Sequence, residues 1–141
     1  MNQEIKVTAD AVVFCKNDEG TKILLIKRKN EPYKGSFAFP GGFVDNHELV
    51  INACQRELKE ETGLSIDVNE FNFIDYYDQP DRDPRSRTIT FAFAAVISEE
   101  KFVEGSDDAA EAEWIDLEKI SNLAFDHKNI LEKAKQKIFN L

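Results

Sequence analysis

A chain of 141 residues with 42% hydrophobic and 32% charged side chains has the length of one domain with an unaided core, which excludes a disordered tail, a repeat fibre and a second full domain. Its 27 acidic against 18 basic residues give a net charge of -9, which repels DNA, RNA and anionic bilayers, so no nucleic-acid or membrane partner is expected. The two cysteines, Cys15 and Cys54, read as reduced thiols, and the absence of a leader-like start or a bilayer-length apolar run points to the cytoplasm.

In chain order, Val7 to Cys15 reads as a strand from its β-branched content. Asn17-Asp18-Glu19-Gly20 marks a turn into a second strand, Lys22 to Arg28, which makes a hairpin. Residues 29–36, with Pro32 and Gly35, form a loop before the short apolar run Phe37 to Phe39 and the breaker triplet Pro40-Gly41-Gly42. A helix follows. Asp45 or Asn46 can cap it, Glu48 places a negative charge at its positive end, and Gly63 ends it. Two strand-like stretches, Ser65 to Tyr77 and Thr88 to Ser98, flank a polar loop from Asp78 to Arg87, and the second is apolar enough to be central. A short strand, Ala112 to Ile115, comes next. From Lys128 onward, Ile130, Leu131, Ala134 and Ile138 recur at helical spacing. With no repeat or linker, residues 1–141 form one α/β (α+β) domain, a mixed sheet with helices packed on it.

The first helix carries an unusual charge arrangement. At about 100° per residue, Glu57, Glu60 and Glu61 fall within about 100° of arc, on the face that bears Val50, Ala53 and Cys54 one and two turns earlier. Glu57 and Glu61 repel each other at the helix's negative end. Arg56 can pair with Glu60, yet one guanidinium cannot neutralise three carboxylates, whereas a divalent cation can. Carboxylates without thiolates or imidazoles are hard oxygen ligands suited to Mg2+ or Mn2+ with positions left for phosphate and water. From composition alone, a solvated acidic face is the competing reading.

Gly42, Glu48 and the run Arg56-Glu57-Leu58-Lys59-Glu60-Glu61-Thr62-Gly63-Leu64 together resemble the Nudix box at every fixed position, and the resemblance extends from about Lys6 to the last helix. It implies the Nudix fold, an α/β/α sandwich with a mixed sheet. It also implies hydrolysis of a nucleoside diphosphate linked to a further group X, with Mg2+ or Mn2+ as cofactor. Carried onto this chain, Glu57 and Glu61 are direct metal ligands, and Glu60 is a ligand or the base that positions water. Arg56 and Glu48 support the glutamates, and the carbonyl of Gly41 or Gly42 adds a backbone ligand.

The spacing from Leu64 to Pro80, with Arg82-Asp83-Pro84-Arg85 after it, resembles the ADP-ribose pyrophosphatase branch of that family. Arginine offers planar paired donors to phosphate or ribose, so Arg82, Arg85 or Arg87 is expected to grip the substrate, while a charged solvated loop is the alternative. Phe125-Asp126-His127 resembles a second motif of the branch, and Asp107, Asp108, Glu111 and His127 are candidates for a site acid or base. Tyr76, Tyr77 or Phe37 could stack on adenine. The expected partner is a small nucleotide, with pairing into a homodimer left open. Three functions follow from the resemblance: ADP-ribose cleavage to AMP and ribose 5-phosphate, cleavage of a (d)NTP or another nucleotide sugar, or a non-catalytic ADP-ribose-binding regulator.

Overall fold

The computed structural model describes residues 3–140. Its centre is β1 (Lys6–Asn17), in which Ala9 through Cys15 are all buried. Side chains of a strand alternate between faces, so β1 serves two cores at once. Ala9, Ala11 and Val13 meet Ala53, Cys54 and Leu58 of the first helix on one face. Val12 and Phe14 meet Ile130, Leu131 and Ala134 of the second helix on the other.

The hairpin forms as the turn residues require. β1 runs into β2 (Gly20–Arg28) with Asn17 opposite Gly20, and Gly20 takes the positive φ of 120° that a side chain would resist. Five strands of the seven-stranded sheet follow the order β3-β2-β1-β6-β5, where β3 is Phe37–Ala38, β5 is Asn72–Tyr77 and β6 is Thr88–Ile97, and the other two pair with β1 and β2 off this path. β6 is parallel to β1 along ten residue pairs from Lys6↔Thr88 to Cys15↔Ile97, the central position its apolar composition requires. The other pairings are antiparallel. Helices α1 (Val50–Thr62) and α2 (His127–Phe139) cover the two faces, which gives the α/β/α sandwich with a mixed sheet. Among the described residues no helix is long and apolar enough to cross a membrane.

Several boundaries differ from the sequence expectation, each for a physical reason. The glycines after Pro40 do not break structure but build β4 (Gly41–Phe43), antiparallel to β1 with Asp10 opposite Gly41 and Ala9 opposite Gly42. A side chain at Gly41 would collide with the Ala9 carbonyl and the Asp10 carboxylate, so here glycine permits close pairing. Helix α1 begins at Val50 rather than beside Asp45 or Asn46, and its N-cap, Leu49, makes no side-chain cap. Glu48 is drawn away from the helix end by Arg56, with Nη2 to Oε1 at 2.6 Å, and also accepts from the Asp45 N–H at 2.9 Å. At the other end Gly63 caps as expected, with φ 81° and its N–H on the Lys59 carbonyl at 2.8 Å.

The stretch from Ser65 is not one strand: Val68–Glu70 is a 3-10 turn capped by Asp67, and only Asn72–Tyr77 pairs. β7 is longer than its apolar core, Ala109–Asp116, because pairing with β2 carries it past exposed Ala110 and Glu111. Helix α2 starts one residue before Lys128, at His127.

Candidate active site

The last two turns of α1 lie over β4, and this placement determines the environment of each glutamate. Gly41 donates its N–H to Glu61 Oε1 at 2.8 Å. Gly42 runs so close beneath Glu57 that a Cβ there would sit 2.5 Å from the carboxylate carbon. Glu61 is only 3% exposed. Its pKa is pushed up to about 8, first by burial and then by Glu57, Asp108 and Asp10, against the lowering effect of the Gly41 N–H. Burial raises Glu57 as well, opposed by Arg56.

Arg56 organises this end of the helix. Its guanidinium donates to both oxygens of Glu48, at 2.6 and 3.1 Å, to the Phe43 carbonyl at 3.0 Å, to Glu57 Oε1 at 2.8 Å and to Glu60 at 3.2 Å. Arg56 is thereby pushed above the ordinary arginine range, first by its hydrogen bonds to Glu48, and Glu48 is held below the usual carboxylate range by the same contact. The network ties the chain before α1 and β4 to the helix, so Glu57 is fixed in direction as well as position.

Glu57 and Glu61 form one wall of a cavity that also receives β1, β2, the arginine loop and the start of α2. Of the residues singled out in sequence, Gly41, Gly42, Arg82, Arg85, Asp108 and His127 line it too. Arg82 is almost fully buried, and its Nη2 and Nε bond to Asp126 at 2.7 and 2.9 Å. Arg85 forks onto buried Asp83 at 3.0 and 2.8 Å. His127 is buried and stacked on Phe39. Its Nδ1 accepts the Phe39 N–H at 3.1 Å, so the proton of the neutral ring is on Nε2, 3.6 Å from Asp10 Oδ2. Burial holds its pKa below the ordinary histidine range.

Other candidates stand apart. Glu60 is exposed, and it, Arg56 and Glu48 lie outside the cavity lining. Pro80, Arg87 and Asp107 are exposed and outside it as well, as is Glu111, which pairs with Lys27 at 3.5 Å. Phe37 and Tyr77 pack on the core under α2, and Tyr76 is exposed on β5, so none of the three faces the cavity. Conversely, Asp10, Arg28, Phe43 and Phe125 line it. Asp10 had a signal, a lone carboxylate inside a β-branched run; it is buried and accepts from the Thr90 hydroxyl at 2.6 Å. Arg28 carried none, because its place at the end of β2, opposite Ala109 of the last strand, is set by pairing between residues far apart in sequence.

A divalent cation fits the donors present. Glu57 and Glu61 use Oε1 for their protein hydrogen bonds, and the backbone of Gly41 and Gly42 passes directly beneath them. Among the described residues no three His, Cys, Asp or Glu side chains converge as a closed ligand cage. Two carboxylates with a backbone oxygen suit an ion that retains water and phosphate ligands rather than a structural site enclosed by protein.

The NUDIX domain family profile matches residues 6–134. The chain is 46% identical over 127 residues to the ADP-ribose pyrophosphatase of Methanocaldococcus jannaschii, across 89% of this chain and 70% of that protein. It is 33% identical over 138 residues to the ADPR responsive transcriptional repressor NtrR of Acinetobacter baylyi, across 95% of this chain and 54% of the repressor, so it spans about half of that relative. The NUDIX domain of Shewanella oneidensis NrtR, solved with ADP ribose, superposes with a TM-score of 0.89 at 27% identity, over 97% of this chain and 90% of that one. The cavity, the helix that walls it and these likenesses agree, and the chain belongs to the Nudix hydrolase family.

Proposed function

We propose that this chain hydrolyses the diphosphate bond of ADP-ribose to AMP and ribose 5-phosphate, with Mg2+ or Mn2+ as cofactor. The observation that carries the reading is the cavity in which Glu57, Glu61 and Asp108 stand with Arg28, on a lining to which Arg82 and Arg85 contribute. A diphosphate linked to two sugars needs cations against its oxygens and donors for its flanking groups. The name of the Methanocaldococcus relative selects ADP-ribose among such compounds.

Glu57 and Glu61, with the Gly41 or Gly42 carbonyl, would hold the cation, which when bound supplies charge stabilisation at the phosphate oxygens and acidifies a water. The remaining work belongs to the chain. Arg56 and Glu48 keep Glu57 aimed into the cavity. Asp108 lines the cavity beside the two glutamates and is proposed to take the proton of the attacking water. His127 is placed to hold the Phe39 backbone, two residues before the Gly41 N–H that binds Glu61.

The test is a substrate panel of ADP-ribose, 8-oxo-dGTP and nucleotide sugars, with Mg2+ or Mn2+ and product identification. Preference for ADP-ribose with AMP as product supports the reading; preference for a (d)NTP or another nucleotide sugar replaces its substrate and keeps its chemistry. The likeness to the Acinetobacter repressor favours a second reading, an ADP-ribose-binding regulator. Binding of ADP-ribose without turnover under any metal, together with sequence-specific retardation of DNA, would select it.

A further inference from the structure

Three arginines line the cavity, and two have already spent their charge. Arg82 is locked to Asp126 and Arg85 to Asp83, each through two hydrogen bonds. Arg28, the last residue of β2, differs. Among the described residues it forms no ion pair, and its one side-chain hydrogen bond runs from Nε to the Pro32 carbonyl at 2.7 Å. It is partly buried. Its guanidinium lies 5.0 Å from the centre of the Phe125 ring, which Arg85 approaches at 5.8 Å, so two like charges share one aromatic ring.

Burial and Arg85 both work against the charge on Arg28, while Glu61, Asp108 and Asp83 favour it from a distance. Removing a guanidinium from water without a counter-ion is unfavourable, and the fold supplies none in contact. Its surroundings nevertheless hold it still. The Pro32 carbonyl fixes Nε, Phe125 lies under the plane, and the Tyr33 ring packs on Phe125 at 4.8 Å. Tyr33 and Phe125 take positive φ values of 60° and 53°, left-handed conformations that disfavour bulky residues. A cation held this firmly, with its Nη groups left over, is prepared for an anion that arrives from outside.

We propose that Arg28 is the residue that binds the substrate's diphosphate in the cavity it shares with Glu57 and Glu61, with its Nη groups donating to phosphate oxygen. Arg82 and Arg85 then act on the loop that shapes the cavity. The identification of that diphosphate as part of ADP-ribose rests on the function proposed above, whereas the phosphate chemistry of Arg28 does not.

The test measures two quantities on the full chain with Mg2+: steady-state kinetics on ADP-ribose, and calorimetric affinity for inorganic pyrophosphate. Arg28→Gln should raise KM for ADP-ribose about tenfold or more and weaken pyrophosphate by a similar factor, as loss of one charge-assisted contact does. Arg85→Gln, whose charge is already used by Asp83, should lose much less. Unchanged pyrophosphate affinity in Arg28→Gln, or an equal loss in Arg85→Gln, overturns the proposal. If Arg28→Gln fails to fold, Arg28→Lys replaces it, because an ammonium seated on the Pro32 carbonyl has no second nitrogen to reach a phosphate. Wild-type pyrophosphate affinity in Arg28→Lys would then refute the role. A wild-type protein that ignores ADP-ribose yet binds pyrophosphate through Arg28 would sink the substrate reading and leave this inference standing.

Discussion

Stripped of metal, the wild-type chain should lose stability as pH rises from about 5.5 to about 8, and Glu61→Gln should abolish much of that loss. The carboxyl of Glu61 rises from an ordinary 4.5 to about 8 in the fold, with burial as the main cause. In this window the folded state holds a proton that the unfolded state has released, so stability falls with pH and levels off above the folded pKa. Because the residue is 3% exposed, little solvent screening reduces the effect, and the loss should be on the order of 3 kcal/mol across the window. Glutamine reproduces the protonated shape and can keep the Gly41 N–H bond. Urea unfolding in chelator at several pH values reads the effect. Near pH 4.5 the two proteins should be comparable; above pH 8 the variant should be the more stable. Added Mg2+ should restore the wild type at high pH and not the variant, which should also lose turnover by orders of magnitude. Parallel stability profiles for the two proteins would refute the buried-carboxylate argument.

Three further outcomes follow from the same geometry. Asp108→Asn should lower kcat by about 10²–10⁴-fold if it takes the water's proton, with Mn2+ affinity little changed; a wild-type kcat would remove it from that role. Gly42→Ala introduces a methyl 2.5 Å from the Glu57 carboxylate carbon, so calorimetry should show weakened Mn2+ binding at a nearly unchanged melting temperature. Asp126→Asn leaves buried Arg82 without a charged partner and should cost about 3–5 kcal/mol in urea unfolding, whereas a loss below about 1 kcal/mol would mean the pair contributes little beyond packing.

What could be read from sequence was what local periodicity controls. β1, β2 and β6 declare themselves through buried runs, and α1 and α2 through their apolar stripes. The acidic face of α1 could be read in outline, with Glu60 grouped with its neighbours by arc and by the family resemblance. In the fold it turns outward, in contact with Arg56. β4 was illegible because two glycines carry no strand propensity, and its existence depends on the close approach to Ala9 and Asp10. The start of α1 was misplaced because Glu48 pairs across the loop with Arg56. Arg28, opposite Ala109, and Asp10, opposite Gly41 and Ala92, enter the cavity through strand pairings between residues distant in sequence, which no local pattern records. The arginine loop illustrates the same limit: composition announced cations, while only the fold assigns Arg82 and Arg85 to internal carboxylates.

The placement of repelling glutamates at the end of one helix calls for an anchor elsewhere on that helix. Ala53, Cys54 and Leu58 are fully buried against β1 and its neighbours, and burial of a leucine-sized side chain contributes about 1.5–3 kcal/mol. That is comparable to the cost at high pH of ionising Glu61 in the metal-free fold. The helix can therefore carry its charged end without unfolding, provided its apolar end stays docked. The Arg56 network supplies orientation more than energy, since Glu60 and much of Arg56 reach solvent, where ion pairs contribute little. Stability and ligand geometry thus reside on different side chains of the same thirteen residues. Substitutions at Leu58 should act through unfolding and substitutions at Glu57 through metal affinity, whereas Glu61, whose buried carboxyl carries the pH-dependent stability, should act through both.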